Sequence, residues 1–203
     1  MSNYTYLDCE NNYIVITPPT EPAIELDVLK SWLRLDPSDC SEDKILNLLV
    51  KQAVSCFEAV SRRTLMNTGF KTFRTCWYQF YELRKSKLVT IDDATYNDTD
   101  QINQIIDPSN YYNDFEDAYS RLIFNKAFTF PETSDRKDSI EIKFTAGLAA
   151  TTEDVPADIQ MALMEHVTFF YENRGDCTCN DEASTPAAAM KVYLSYKIEE
   201  IGR

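Results

Sequence analysis

Residues 139–174 read SIEIKFTAGLAATTEDVPADIQMALMEHVTFFYENR, and this stretch carries the two clearest periodic patterns of the chain. At its start the apolar Ile140, Ile142 and Phe144 alternate with polar residues, which is the pattern of a strand buried on one face. Pro156 then suits the first turn of a helix. Apolar residues recur after it at helical spacing, at Ile159, Leu163, Val167 and Phe170. We predict a strand that leads into a long amphipathic helix, and we expect the two to form the centre of the core.

Two more amphipathic helices are predicted before this stretch, and one after it. The first begins near Pro22 and ends near Leu35, with one apolar row at Ile24, Val28 and Trp32. The second follows a predicted capping box of Asp39 and Glu42. Its main apolar stripe consists of Ile45, Leu49, Ala53, Phe57 and Val60. The last helix is predicted over residues 187–200.

The region between the helices is rich in β-branched and aromatic residues. Short strands are predicted at 70–81, 88–91, 102–106 and 121–124, because turn residues separate these segments. The apolar run Tyr13–Ile16 predicts an edge strand, either of the chain's own sheet or of a neighbour's. The predicted fold class is α+β, with antiparallel amphipathic helices, two N-terminal and two C-terminal, packed with a small, mostly antiparallel β-element in the middle of the chain.

The length of 203 residues favours a single domain that folds without a disulfide or a metal. We divide it into an N-terminal arm (1–18), a helical pair (19–66), a β-rich region (67–147), the core helix (154–174) and a loop with the C-terminal helix (175–203). No apolar run is long enough to cross a bilayer, and the N-terminus has no apolar signal segment. We therefore expect no membrane partner, and reduced cysteines in a cytoplasmic setting.

The chain is strongly acidic, with a net charge of −13 at pH 7. Tight binding to nucleic-acid phosphates needs clustered Lys and Arg, so this charge argues against a DNA-binding protein. Between positions 92 and 117 the acidic residues have no Lys or Arg among them. They are Asp92, Asp93, Asp98, Asp100, Asp107, Asp114, Glu116 and Asp117. This stretch is either a solvated loop region or a surface that repels DNA or docks a basic partner.

Motifs for catalysis or metal binding are missing from the sequence. The four glycines are too far apart for a glycine-rich phosphate loop. His166, the one histidine, lies on the apolar side of a predicted helix, which indicates a packed core or interface residue. Cys177 and Cys179 have no second ligand pair at matching spacing. Asp98 and Asp100 lack the other ligands of a calcium loop. We predict no catalytic residue, no metal site and no cofactor.

Two groups of motifs carry a family resemblance. One is a strand ending in Phe-Thr-Ala-Gly, followed by Val-Pro-x-x-Ile-x-x-Ala-Leu and Tyr-x-x-Arg, within residues 144–174. The other is Leu29-Lys30-x-x-Leu33-Arg34-Leu35-Asp36, then Asp43, then a second helix that ends at Arg63-Thr64-Leu65. In this order the motifs resemble tailed-phage head–tail connector proteins, also called head-completion or DNA-packaging adaptor proteins. The family tends to have a Thr-Gly-Arg turn where this chain has Ser61-Arg62-Arg63.

The resemblance implies a structural virion protein at the head–tail junction, assembled in the host cytoplasm, and not an enzyme. It implies a ring under the portal that joins the phage head to the tail, completes the head after DNA packaging and lines the DNA channel. The implied partners are further copies of the chain (a dodecamer, to match the portal), the portal protein, the next connector or tail component, and passing DNA that is not read by sequence.

Site residues in such a protein are contact residues. We predict that the C-terminal helix docks the portal or a neighbour through Met190, Tyr193, Leu194, Lys197 and Ile198. We predict an acidic surface, which we assign to the lumen, at Asp92, Asp93, Asp98, Asp100, Asp114, Glu116 and Asp117. Two alternatives stay open: a tail-completion protein, or an unrelated acidic cytoplasmic binding module or small enzyme.

Overall fold

The computed structural model describes residues 13–85, 87–114, 120–174 and 185–198. Its strands are β1 (Tyr13–Thr17), β2 (Thr68–Arg74), β3 (Phe80–Leu83), β4 (Leu88–Asn97), β5 (Asn103–Ile105), β6 (Tyr111–Asp114), β7 (Ser120–Phe124) and β8 (Ile140–Ala146). Its helices are α1 (Leu26–Trp32), α2 (Asp43–Ser61), α3 (Ala157–Glu172) and α4 (Ala187–Ser195). The described residues of Met1–Pro19 and Asn67–Gly147 form one compact unit, the β unit, and those of Thr20–Met66 and Leu148–Arg203 form a second, the helical unit.

The β unit is built on a five-stranded antiparallel sheet in the order β1-β2-β8-β4-β5. β8 lies at its centre, and the alternation that predicted this strand is confirmed. Ile140, Ile142 and Phe144 are fully buried on one face, while Glu141 and Lys143 are only half-buried on the other. A central strand buried on one face is what a period of two requires.

A second, three-stranded antiparallel sheet of β3, β7 and β6 completes the β unit. An aromatic cluster lies in the core of this unit: Trp77 stacks on Phe130 at 5.4 Å between ring centroids, and Phe124 stacks on Phe128 at 5.3 Å. The indole N–H of Trp77 donates to the backbone oxygen of Pro131, so this large ring is packed without leaving its polar atom unpaired.

The helical unit is held together by the apolar faces of α2, α3 and α4. In α3 the predicted positions Ile159, Leu163 and Val167 are fully buried. In α2 the buried residues are Leu46, Val50, Ala53, Phe57 and Ser61. The buried face of α2 is therefore rotated around the helix relative to the predicted stripe. Ala53 and Phe57 belong to the core, whereas Ile45 is exposed and Leu49 is only half-buried.

Helix α1 is shorter than predicted, because it begins at Leu26 rather than near Pro22. The predicted row was wrong at two of its three positions: Leu29 is the fully buried residue of this helix, and Val28 and Trp32 are exposed. A seven-residue helix has too few turns for its periodicity to identify the buried face. It ends in a Schellman motif, in which Arg34 has a left-handed backbone (φ 58°) and the Leu35 N–H donates to the Lys30 oxygen.

The start of α2 differs from expectation, whereas its end lies where the sequence predicted it, next to Arg62. The capping box of Asp39 and Glu42 is wrong: Glu42 itself precedes the helix, and the Asp39 carboxylate accepts from the Ser41 N–H instead. At the other end Arg62 has a left-handed backbone, with φ 59° and ψ 24°. This is the conformation that glycine favours at a helix end, and here an arginine adopts it.

The β-rich region is larger than the small element predicted, although the α+β class and the antiparallel pairing are confirmed. The segment 70–81 divides into β2 and β3, and Cys76 lies exposed between them rather than within a strand. β4 continues from the predicted 88–91 through Asp92 and Asp93 to Asn97. β6 was not predicted. β8 and α3 also do not share a core, since each lies in the core cluster of its own unit.

Candidate assembly surfaces

The C-terminal helix α4 is part of the core of the helical unit. Tyr193 is fully buried, its ring meets Phe57 edge-on at 5.4 Å, and its hydroxyl lies 3.1 Å from Nδ1 of the fully buried His166. Burial raises the pKa of the Tyr193 hydroxyl above its ordinary value. The prediction that Tyr193 is an exposed contact residue is thus wrong, and the prediction that His166 is a packed residue is confirmed.

The other residues predicted on α4 differ in exposure. Leu194 is 51% exposed and Lys197 is also exposed. Met190 and Ile198 are half-buried, and the N–H of Ile198 donates to the backbone oxygen of Ser61 at 3.0 Å. A partner that reaches this helix therefore meets Leu194 and Lys197 first. We call these two residues the α4 surface.

Two polar contacts fasten the end of α4 to its neighbours in the helical unit. The Tyr196 hydroxyl donates to the Asp158 carboxylate, 3.0 Å from each oxygen. Nε of Arg63 donates to the backbone oxygen of Tyr196 at 2.7 Å. Burial, and then the hydrogen bond to Asp158, raise the pKa of Tyr196. These contacts hold the α4 surface in one orientation on the unit.

Further apolar side chains of the helical unit are exposed, at Val28, Trp32, Ile45, Leu48 and Met161. Of these, Val28, Trp32 and Ile45 belong to the apolar stripes predicted from the sequence. The position of Trp32 is nevertheless fixed, because its indole N–H donates to Oγ1 of Thr168 on α3 at 2.9 Å. Large apolar residues held at a surface are typical of contact sites for other proteins.

Polar contacts also hold α1, α2 and α3 together. The buried Lys30 ammonium lies 2.6 Å from the Asp43 carboxylate and donates to the backbone oxygens of Pro37 and Asp39. The hydrogen bond with Asp43 raises the pKa of Lys30. Glu42 accepts hydrogen bonds from the Tyr171 hydroxyl and from Arg174, which lower its pKa. These charged groups are engaged in structure, so we assign them no role in contacting a partner.

The two edge strands of the five-stranded sheet expose apolar residues. On β1, Ile14, Val15 and Ile16 are between 41% and 53% exposed. At the opposite edge, Ile105 of β5 is 76% exposed, and Ile102 precedes the strand with similar exposure. The prediction of an edge strand at Tyr13–Ile16 is confirmed for the chain's own sheet, since β1 pairs with β2.

The acidic residues predicted to form one surface belong to several elements of the β unit. Asp92 and Asp93 lie in β4 rather than in a loop, and strand register places Lys143 opposite Asp93, at 3.3 Å between the charged groups. Lys143 also pairs with Glu141, and these two contacts raise its pKa, with Glu141 the larger cause. The acidic stretch is therefore paired, at Asp93, with a cation that lies fifty residues away in the sequence. Asp92 accepts from the Thr145 hydroxyl at 2.9 Å.

The remaining acidic residues have separate settings. The Asp98 carboxylate accepts from the N–H groups of Asp100 and Ile102 and from the Gln104 amide, and the bond to Gln104 is the largest cause of its lowered pKa. Asp98 thus organises the turn between β4 and β5. Asp100 is exposed and Asp114 is half-buried at the end of β6. Glu116 and Asp117 lie outside the described residues.

Within the described ranges, no group of three or more His, Cys, Asp or Glu side chains has the arrangement of a metal site. Cys40, Cys56 and Cys76 are free thiols, and Cys177 and Cys179 fall outside the part of the chain that the structure describes. The described helices include none with the length and apolar character needed to cross a membrane.

Comparison with known proteins gives matches at the level of structure. No family model and no curated protein sequence matches the chain. A chain in the neck of an empty gene transfer agent (GTA) particle, computed with C6 symmetry, superimposes with a TM-score of 0.78 at 19% identity, over 94% of this chain and 97% of that one. A chain in the virion of a native GTA particle gives 0.75 at 19% identity, over 93% and 96%.

A chain in the neck of the native GTA particle, computed with C12 symmetry, gives a TM-score of 0.71 at 19% identity, over 93% of this chain and 97% of that one. These matches extend over both units and nearly the full length of each chain. The head–tail connector resemblance seen in the sequence is thus confirmed for the fold, and this chain shares its architecture with a protein of the GTA particle neck.

Proposed function

We propose that the chain is a structural protein of a particle neck, which forms a ring under the portal, joins the head to the tail and completes the head after DNA packaging. The observation that supports this best is the match over 94% of the chain to a chain in a particle neck, with a TM-score of 0.78. The proposed role involves no reaction and needs no cofactor. Its chemistry consists of contacts between subunits.

The proposed ring is a dodecamer, to match the portal. The matched neck structures were computed with C6 and C12 symmetry, which is in keeping with cyclic assembly. In a closed ring each copy uses two different surfaces to contact its two neighbours. The other partners are the portal protein on one side and the next connector or tail component on the other, in a virion assembled in the host cytoplasm.

The channel of this ring has to let DNA slide, and we propose that acidic side chains line it. A chain of net charge −13 repels phosphates unless its few cations are concentrated on one surface. Of the predicted lumen residues, Asp92 on β4 and Asp100 are exposed. We expect no salt-sensitive affinity for duplex DNA; submicromolar binding in a low-salt shift assay contradicts an acidic lumen.

We propose that the α4 surface contacts the portal. Deleting residues 187–203 is an unsuitable test, because it removes Tyr193 and Ala189 from the core of the helical unit. The variant Leu194→Asp with Lys197→Glu changes exposed positions and should leave the fold intact. Its matched control is Lys51→Glu, at an exposed position of α2. We expect the double variant to lose portal binding in a pull-down and the control to retain it; equal retention by both excludes this docking surface.

The function as a whole is tested by removing the gene product from the particle that carries it. We expect DNA-filled heads without tails, and labelled protein added back should be found by electron microscopy between head and tail. Tailed, infectious particles assembled without the chain overturn the proposal. Label found at the tail side alone, with tails that fail to complete, favours the tail-completion alternative.

A further inference from the structure

Among the described residues, β1 and β5 are the two edge strands of the five-stranded sheet of the β unit. On β1 the exposed residues Ile14, Val15 and Ile16 project to both faces of the sheet, because successive side chains alternate. These three side chains are between 41% and 53% exposed, so much of their apolar surface is left uncovered by the described part of the unit. At the other edge, Ile102 and Ile105 are the most exposed large apolar residues of the unit, at 57% and 76%.

Sheet edges in proteins that remain monomeric are usually protected by charged residues or proline. The edge strands of the three-stranded sheet have such a charge: β3 contains Glu82 and β6 contains Asp114. β1, with the sequence YIVIT, and β5, with the sequence NQI, contain neither a charge nor a proline. The one irregularity is a register shift between Val15 and Thr17, which affects only the end of β1. The two edges without a charge or a proline thus belong to the same sheet.

The strand directions determine how two copies can join. All neighbours in the sheet are antiparallel, so β1, β8 and β5, which are the first, third and fifth strands in order, run in the same direction. If β1 of one copy lies beside β5 of a second copy in a similar orientation, the two strands are parallel. If β1 instead meets β1 of a second copy across a two-fold axis, the strands are antiparallel and β5 remains open.

We propose that β1 of one copy pairs in parallel with β5 of the next copy, so that the five-stranded sheets join edge to edge around the assembly. This inference rests on the proposed ring. In a twelve-fold ring, neighbouring copies are related by a rotation of one-twelfth of a turn about the ring axis. Strands that have the same direction within each copy therefore stay close to parallel between copies, whatever their angle to that axis. That rotation is close to the natural twist of about 20–25° between adjacent strands. A cyclic contact also uses both edges, which accounts for the exposed apolar residues on each.

The test uses two variants that each block one edge. Ile14→Lys with Ile16→Lys places two charges on β1, and Ile102→Lys with Ile105→Lys places two beside and on β5. All four positions are exposed, so the variants should fold as the wild type does, which circular dichroism and thermal unfolding check. Val28→Lys, at an exposed position of the helical unit, is the matched control for the change from apolar to charged.

Sedimentation velocity up to about 1 mM protein measures the assembly. We expect the wild type and the Val28→Lys control to associate, and each edge variant alone to associate at least about tenfold more weakly. In a mixture of the two, the β1 variant still has an intact β5 and the β5 variant still has an intact β1. These two edges can pair once, so the mixture should form a one-to-one dimer and nothing larger. This dimer is the signature of pairing between unlike edges.

Three results overturn the proposal: a wild-type chain that stays monomeric throughout this range, edge variants that associate as the wild type does, or a β5 variant that still forms a dimer through β1. The last result identifies a two-fold β1 contact instead. The proposed function is judged separately, by position in the particle. Edge variants found at the neck in complete rings leave the neck function intact and remove only the pairing of β1 with β5.

Discussion

Replacing Tyr193 by Phe tests whether α4 is a core element of the helical unit or an attached contact helix. The substitution removes one hydroxyl and keeps the ring, which meets Phe57 at 5.4 Å. The hydroxyl lies 3.1 Å from Nδ1 of His166, and both side chains are fully buried. Both side chains are shielded from solvent, so the variant should weaken the helical unit itself.

The expected loss is about 1–3 kcal/mol of unfolding free energy, which is the usual cost when a buried polar atom loses a hydrogen-bond partner. Leu194→Ala, one residue along the helix but 51% exposed, should change stability by less than about 0.5 kcal/mol. In a double-mutant cycle with His166→Leu, the coupling energy should be about 0.5–3 kcal/mol if the two side chains interact directly.

Urea unfolding can be followed for the helical unit alone, because the chain has two tryptophans, Trp32 in the helical unit and Trp77 in the β unit. In a Trp77→Phe background the fluorescence of Trp32 reports the helical unit, and each variant is compared with that background. A loss below about 0.3 kcal/mol for Tyr193→Phe, or a coupling energy of zero with His166, refutes the reasoning that α4 is locked in by this contact.

The other predictions concern backbone geometry and pH. Gly147→Ala should destabilise the β unit by about 1–3 kcal/mol, since its new Cβ lies 2.5 Å from the backbone nitrogen of Asn67. The new Cβ in Gly69→Ala meets a side chain first, so this variant should lose less stability, and thermal unfolding compares the two. Arg62→Gly should stabilise the helical unit by up to about 1 kcal/mol in urea, because glycine relieves the left-handed strain at φ 59°; a loss of stability contradicts this. The Glu42 carboxyl has a lowered pKa, so its stabilising effect is present above the unfolded pKa of about 4.3 and is lost as pH falls through the lower folded pKa. Glu42→Gln should accordingly show a flatter dependence of the urea midpoint on pH between about 5 and 3.

The parts of the fold that sequence alone predicted are those with a long, unbroken period. β8 alternates over seven residues and α3 repeats over sixteen. β8 has its predicted buried face, and α3 has it at Ile159, Leu163 and Val167, whereas Phe170 at the end of the predicted row is half-buried. For α1, with seven residues, the predicted row of Ile24, Val28 and Trp32 includes two exposed residues, whereas the fully buried Leu29 lies beside that row. Local patterns also failed in β4, because Asp92 and Asp93 suggested a loop. In the strand, Asp92 accepts a hydrogen bond from the Thr145 side chain and Asp93 lies opposite Lys143, both on β8. Such partners are brought there by the fold rather than by neighbouring sequence.

The contact surfaces were harder to predict than the core, for a physical reason. An apolar residue at helical spacing indicates a face that is buried, but the pattern does not say whether the chain itself or another copy covers that face. Tyr193 and Leu194 are adjacent on one helix and were predicted to have the same role, yet one is fully buried and the other is 51% exposed.

The reverse error occurred at Trp32, which was assigned to the core and is 43% exposed. In the proposed role, residues that lie at a subunit contact should carry the same sequence pattern as the core, since both are apolar and both become buried. The sequence pattern therefore does not distinguish core residues from contact residues, whereas the structure of one subunit does. The exposed members, from Ile14 and Ile105 on the sheet edges to Trp32 and Leu194 on the helices, are therefore the positions at which substitutions should alter assembly without unfolding the chain.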